Sequence, residues 1–259
     1  MQSKEKSTGA PGPPEAAPGG CRPVSPQEKV RLVQRHFDTV AAMYDLANTV
    51  LSFGLHHLWK RTAVKMLGLK PGDRVIDVCG GTADLALLAS QAVSHSGRVV
   101  LYDFNRAMIE VARGKVAAAA ALNNITYVQG DAENISCRDE SFAAAMVGFG
   151  IRNLTDLVQG LREIYRVLKP GGQLMCLEFS QPTAAWFRRL YDFYSFAVMP
   201  WVGQLLVGSR QAYTYLPESI RAFPGPAELS ALIESVGFSQ VRHRALSNGI
   251  AVIHLGMKR

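Results

Sequence analysis

Apolar positions fall into two rhythms along the 259-residue chain. Over residues 27–69 they recur at three- and four-residue spacing, as in Val30, Val33, Phe37, Val40, Ala41 and Tyr44, and again over 57–67. This predicts two helices, broken near 48–54. After the turn signal Lys70-Pro71-Gly72-Asp73 the rhythm changes to short apolar runs, each followed by a helical stretch. Residues 75–79 lead through Gly80-Gly81-Thr82 into a helix at 84–92, 98–102 into 108–121, and, after a strand at 125–129, 142–149 into 154–168. Lys169-Pro170-Gly171-Gly172 stops that helix, and 173–179 is the next strand. Short, continuously apolar strands alternating with helices imply a parallel sheet covered on both faces. The end differs, because a helix at 226–236 closed by Gly237 is followed by two runs, 239–245 and 250–256, around Ser247-Asn248-Gly249. The prediction is an α/β fold: a Rossmann-like, seven-stranded, mostly parallel sheet with a C-terminal antiparallel hairpin and helices on both faces.

Residues 1–26 break both rhythms. They hold six of the 13 prolines, four glycines, Lys4, Glu5, Lys6 and Glu15, and no apolar stretch like a signal peptide, which predicts a disordered tail ahead of a single domain at 27–259. One Arg and two Glu in that tail also argue against a mitochondrial presequence. Cys21, Cys79, Cys137 and Cys176 form no CxxC pair and no zinc spacing, which fits a reducing cytoplasm. The formal charge of +7 favours an anionic partner, and charge alone does not choose among nucleic acid, acidic lipid and a phosphorylated ligand.

One segment, 186–223, carries ten of the 22 aromatic residues, and from Phe193 to Ser209 it has no charge. Seventeen uncharged residues interrupted by Pro200, Gly203, Gln204 and Gly208 do not make a membrane span. Two readings stand: these residues cap the core, or, flanked by Arg188, Arg189 and Arg210, they form an apolar ligand wall that meets an anionic membrane surface.

The candidate chemistry lies where the predicted strands end. Asp77-Val78-Cys79-Gly80-Gly81-Thr82 spans a strand-to-helix turn, the crevice where open α/β sheets bind nucleotides, yet it lacks the GxGxxG that cradles a pyrophosphate. Asp103 ends the second strand and is placed to accept from ribose hydroxyls; Asp131 ends the third and is placed to accept from an adenine amine. A glycine loop with two acids and no phosphate cradle fits S-adenosyl-L-methionine. Taken singly, Asp77 also reads as a brace for the loop and Asp103 as a turn residue.

Over about residues 30–258 the chain resembles the UbiE/MenG family of quinone C-methyltransferases. The resemblance rests on Tyr44-Asp45 with Asn48, Ser52-Phe53-Gly54, His57-x-Trp59-Lys60-Arg61, Phe149-Gly150-Ile151-Arg152-Asn153, Leu177-Glu178-Phe179-Ser180, Tyr191-x-x-Tyr194-Ser195-Phe196 and Tyr215-Leu216-Pro217-Glu218-Ser219-Ile220. Arg166-Val167-Leu168-Lys169-Pro170-Gly171-Gly172 is common to many methyltransferases. The resemblance implies methyl transfer from S-adenosylmethionine to a ring carbon of a polyprenylated quinol, demethylmenaquinol first and a ubiquinone precursor as the alternative. It places cofactor contacts on Thr82, Asp103, Asp131 and Ala132, beside Asp77, Gly80 and Gly81, and catalysis on Arg152 and Asn153. It also makes 27–69, with Tyr44 and Asp45, a helical lid. Where the family carries a serine this chain has Gly148, where it carries a fourth loop glycine this chain has Ala83, and Ala47 stands at a usual Met.

A quinol is a phenol of pKa near 10, so its ionisation at pH 7 costs about 4 kcal/mol. Arg152, always protonated, is suited to stabilise the developing phenolate and unsuited to act as a base. No metal is expected: His56 and His57, adjacent on a helix, should diverge by about 100°. Tyr165 and Lys169 match a dehydrogenase YxxxK without the dinucleotide glycines, and no Asn/Asp-Pro-Pro-aromatic segment of an amino-directed nucleic-acid methyltransferase follows the fourth strand. Nucleic acid is therefore not an expected partner. A non-catalytic, quinol-binding scaffold is the remaining alternative. The expected location is cytoplasmic, peripheral at the inner face of the membrane, with a homodimer or a quinone-biosynthesis complex as possible assemblies.

Overall fold

The computed structural model describes residues 26–119, 122–207 and 210–259. The expected tail at 1–26 lies outside them apart from Pro26, which opens the first helix. Chain order runs α1 (Pro26–Val40), α2 (Tyr44–Leu51), α3 (Leu55–Leu67), β1 (Arg74–Val78), α4 (Asp84–Val93), β2 (Arg98–Asp103), α5 (Arg106–Ala118), β3 (Ile125–Gln129) and β4 (Phe142–Gly148). It continues through α6 (Leu157–Val167), β5 (Leu168–Phe179), α7 (Ala185–Phe193), α8 (Met199–Val207), α9 (Arg210–Ala222), α10 (Pro226–Ser235), β6 (Phe238–Leu246) and β7 (Ala251–Lys258).

The seven strands form one sheet in the order β3-β2-β1-β4-β5-β7-β6. The first five run parallel, while β7 pairs antiparallel with β5 on one side and β6 on the other. The hairpin was predicted; its insertion was not, since β7 passes β6 to reach the sheet. Burial explains the choice, because β7 is buried at seven of eight positions whereas β6 alternates and is largely exposed, as an edge strand must be. The order in which strands are added reverses between β1 and β4, so the crevice beyond their carboxyl ends is the topological switch point.

One core layer joins α3 and α4 to one face of the sheet through Trp59, Leu67, Leu85, Leu101, Met146 and Met175. The other joins α6 and α10 through Tyr102, Phe142, Ile164, Leu168, Leu229 and Ile233. Local chemistry sets helix starts: Asn105 and Asp156 accept from the Met108 and Gln159 amides, and Glu228 accepts from the Gly225 amide ahead of Pro226. The N-terminal segment holds three helices where two were expected, because a 3₁₀ turn at Ala41–Met43 separates α1 from α2. Segment 186–223 folds as α7, a π-helical turn at Tyr194–Val198, α8 and α9. Val40, Ala47, Leu51 and Met199 make a third cluster that joins the N-terminal helices to this segment.

Candidate active site

Two cavities open at the carboxyl ends of the parallel strands, and Phe37, Tyr44, Phe149 and Asn153 wall both. The first, about 450 Å³, is lined by Gly81, Asp103, Asp131, Ala132, Gly148 and Gly150, with Val33 of α1 on its opposite side. Asp103, 8% exposed, accepts from the Gly81 amide on Oδ2 (2.8 Å) and the Asn105 amide on Oδ1 (2.8 Å), so the glycine loop and the end of β2 are fixed to each other. Burial raises its carboxyl, and the amides of Asn105, Gly81 and Phe104 oppose that rise. Asp131 accepts from the Glu133 amide (2.9 Å) and is solvent-exposed.

Backbone geometry shapes this cavity. Cys79, Ala83 and Phe149 hold left-handed φ values of 55°, 72° and 58°, which suits strain concentrated at a functional site. A Cβ on Gly150 would stand 2.4 Å from Cβ of Cys79, so only glycine permits that close approach. Leu85 occupies the space that a side chain at Gly148 would need, with Cδ1 2.6 Å from the position of such a Cβ. Burial pushes the Cys79 thiol well above its ordinary range, which keeps it neutral and unreactive.

Of the residues expected to contact the cofactor, Gly81, Asp103, Asp131, Ala132 and Gly148 line this one cavity. Asp77, Gly80 and Thr82 do not. Asp77 is fully buried, both carboxylate oxygens lack a hydrogen-bond partner among the described residues, and burial, then the Asp103 charge, drive its carboxyl well above the usual range. It braces the loop from behind; the position a Cβ of Gly80 would take lies 3.2 Å from its Cγ. Thr82 donates its hydroxyl to Asp45 of α2 at 2.6 Å.

That contact belongs to a charged network absent from the sequence reading. Lys115 of α5 bridges Asp45 (2.6 Å) and Asp84, and Lys60 of α3 reaches Asp84 at 2.5 Å. Burial opposes the charge on Asp84, and the two ammonium groups outweigh it, holding the carboxyl below the usual range. Contrary to the expected divergence, the His56 and His57 rings lie 3.9 Å apart and both meet the Thr49 hydroxyl, at 3.1 and 3.3 Å. Side-chain torsions undo the angular offset of their Cβ atoms. Their ring nitrogens and Asp84 fall within 4.8 Å of one another, yet Lys60 and Lys115 already neutralise that acid.

The second cavity, about 420 Å³, is apolar. Trp59, Phe179, Leu190, Tyr191 and Tyr194 line it, and Arg152 stands in its wall. Arg152 is not a surface pair: its Nη1 donates to Glu178 Oε1 at 2.7 Å, and the two side chains are 7% and 1% exposed. Nη1 also meets the Phe149 carbonyl, and the guanidinium lies 5.4 Å from the centre of the Phe179 ring. Asn153 Oδ1 accepts from the Tyr215 hydroxyl at 3.1 Å. Glu178 was legible in principle, since a charge inside the apolar run Leu174 to Phe179 demands a buried partner.

A β3-β2-β1-β4-β5-β7-β6 sheet with its cavity at the β1/β4 switch point defines a Rossmann-like methyltransferase fold. Solved structures agree: a SAM-dependent methyltransferase of Thermotoga maritima, possibly a histamine N-methyltransferase, superposes with a TM-score of 0.60 at 21% identity, covering 87% of this chain and 99% of that one. The [4+2]-cyclase SpnF superposes at 0.65 with 15% identity over 87% of this chain and 95% of that one, so the fold by itself does not fix the reaction. The sequence does more. The chain belongs to the ubiE/COQ5 methyltransferase family, whose sequence model matches residues 24–258. It is 44% identical over 239 residues to the ubiquinone/menaquinone biosynthesis C-methyltransferase UbiE of Haemophilus ducreyi, spanning 92% of each chain. The UbiE of Stenotrophomonas maltophilia is also 44% identical, covering 92% of this chain and 94% of that one. The protein is a methyltransferase.

Proposed function

We propose that the protein transfers the methyl group of S-adenosylmethionine to a ring carbon of a polyprenylated quinol, converting demethylmenaquinol to menaquinol. The observation that carries this reading is the junction of the two cavities at Tyr44, Phe149 and Asn153, with a buried arginine on the apolar side. S-adenosylmethionine supplies an electrophilic methyl on its sulfonium. Its hydroxyls and amine fit the first cavity, where Asp103 and Asp131 offer acceptors for ribose hydroxyls and an adenine amine and Gly81 presents bare backbone.

The chain's own residues supply the rest. Arg152 stabilises the negative charge that develops on the ring oxygen, Asn153 and Tyr44 hold the ring at the junction, and the apolar walls lower the local dielectric and so strengthen that charge interaction. Residues 27–69 act as a lid over both cavities. Phe53 and Leu190 line the apolar cavity while 79% and 56% exposed, giving a mouth through which a prenyl tail enters. Leu58, Trp186 and Trp201 are also exposed. No helix among the described residues is long and apolar enough to cross a membrane, and this rim suits transient contact with the inner, cytoplasmic membrane surface, or with a second copy of the chain.

The test is methyl transfer from labelled S-adenosylmethionine to reduced demethylmenaquinol and, separately, to a demethylated ubiquinol precursor in detergent. Transfer to the naphthoquinol that falls at least about 100-fold in Arg152→Ala is expected. Transfer only to the benzoquinol moves the assignment to ubiquinone synthesis; cofactor binding with transfer to neither supports a scaffold.

A further inference from the structure

Of the donors on the Arg152 guanidinium, Nη1 is occupied by Glu178 and the Phe149 carbonyl and Nε is buried out of reach, whereas Nη2 makes no hydrogen bond to a described residue and is not buried. Glu178 sits on β5, 1% exposed, and is itself over-determined: Oε1 also accepts from the Phe179 amide at 2.9 Å, and Oε2 faces the Arg152 amide at 3.4 Å. The carboxylate is therefore anchored to the Phe179 amide of its own strand, independently of the Arg152 side chain. It does not line the apolar cavity, whereas Arg152 does.

We infer that Glu178 is the positioning residue of the reaction, clamping the Nη1 corner of the Arg152 guanidinium so that its Nη2 corner meets the phenolic oxygen of the bound acceptor. The inference rests on the proposed function in taking that acceptor to be a phenol. Two effects of Glu178 oppose each other. Its negative charge disfavours a nearby phenolate, while its clamp delivers the arginine donor that favours one. Positioning requires Arg152, and charge repulsion does not, so the two separate in a double-mutant cycle.

The probe is 4-nitrophenol, whose ionisation is read by absorbance while it is bound to the full-length protein without cofactor, so no turnover is needed. In the wild type the bound phenol should ionise at lower pH than it does in water. Glu178→Gln should move that ionisation back towards the value in water, whereas in the Arg152→Ala background the same substitution should leave it unmoved or move it to lower pH. Glu178→Asp keeps the charge and withdraws it by one methylene; it should give a smaller rise and serves if the glutamine variant does not fold. A rise of equal size in both backgrounds, no rise in either variant of the arginine-bearing protein, or no depression in the wild type would each overturn the inference. Methyl transfer to a quinol with a flat nitrophenol titration would overturn the clamp and keep the function. A titration that obeys the cycle without transfer to any quinol would do the reverse.

Discussion

The Thr82 hydroxyl donates to Asp45 at 2.6 Å, joining the glycine loop after β1 to α2, 37 residues earlier in the chain. Asp45 accepts in addition from Lys115, which also holds Asp84 at the start of α4. One carboxylate thus ties the N-terminal helices to the two elements that frame the cofactor cavity. The glycine loop and α2 share a hydrogen bond, so displacing one disturbs the other.

A lid held this way should release cofactor faster when its tie is cut. Asp45 and Lys115 are 36% and 27% exposed, so solvent screening limits the pair to about 1 kcal/mol. Asp45→Asn should raise the dissociation rate of S-adenosylmethionine about three- to tenfold in stopped-flow measurements, and the effect should shrink in 1 M salt. An unchanged rate at low salt would remove residues 27–69 from control of cofactor exchange.

Acid should weaken the fold through two histidines. His254, 2% exposed, shares a 3.0 Å hydrogen bond between Nε2 and the Pro226 carbonyl, its Nδ1 is buried without a partner among the described residues, and burial lowers its pKa to about 4. His56 is lowered to about 4 as well, by burial and then by Lys60. Above pH 6.5 both are neutral folded or unfolded; between 6.5 and 4 the unfolded chain binds protons that the folded chain refuses, so stability falls as pH falls through that window. For His254 the loss should reach on the order of 2–3 kcal/mol. Urea titrations at pH 7 and pH 4.5 should show it, and His254→Gln should flatten the dependence.

Two glycines should respond oppositely to alanine. At Gly150 the new Cβ would stand 2.4 Å from Cβ of Cys79, an atom fixed to the end of β1, so Gly150→Ala should cost about 1–3 kcal/mol and weaken cofactor binding. Gly114 lies inside α5 with nothing within 4 Å of its Cβ position, so Gly114→Ala should stabilise by about 0.5–1 kcal/mol. Thermal melts of both, with calorimetric titration of S-adenosylmethionine, check the pair.

Membrane contact should be separable from chemistry. Leu58 and Trp201 are 61% and 67% exposed and line neither cavity. Burying each in a bilayer contributes about 1–3 kcal/mol, so Leu58→Asp with Trp201→Asp should lower binding to anionic vesicles at least tenfold. Turnover of long-tailed quinol in those vesicles should fall with it, while transfer to a tail-less quinol in solution stays unchanged. Equal loss on both acceptors would place this face in the catalytic fold instead.

Much of the site was legible because its residues sit next to each other or at the ends of predicted strands. Gly81, Asp103, Asp131, Ala132 and Gly148 converge on one cavity simply because parallel strands bring their carboxyl ends together. The partner of Thr82 was not legible, for a tertiary reason: the loop offers a hydroxyl, and α2 supplies a carboxylate from 37 residues away. The offset between adjacent helical residues misled for His56 and His57, since backbone geometry fixes Cβ directions and leaves the rings free to turn to a shared acceptor.

The sequence by itself determined which segments are strands and helices, which ends carry glycine and acid, and to which family the chain belongs, because periodicity, turn residues and motifs are local properties. Tertiary structure alone decided what meets across the chain: β7 between β5 and β6, Lys115 with Asp45 at a separation of 70 residues, and Arg152 with Glu178 at 26. A charged residue in a buried strand announces that it needs a partner, yet many cations could serve. Only packing the sheet against its helices brings one of them within 2.7 Å and shuts water out from the pair.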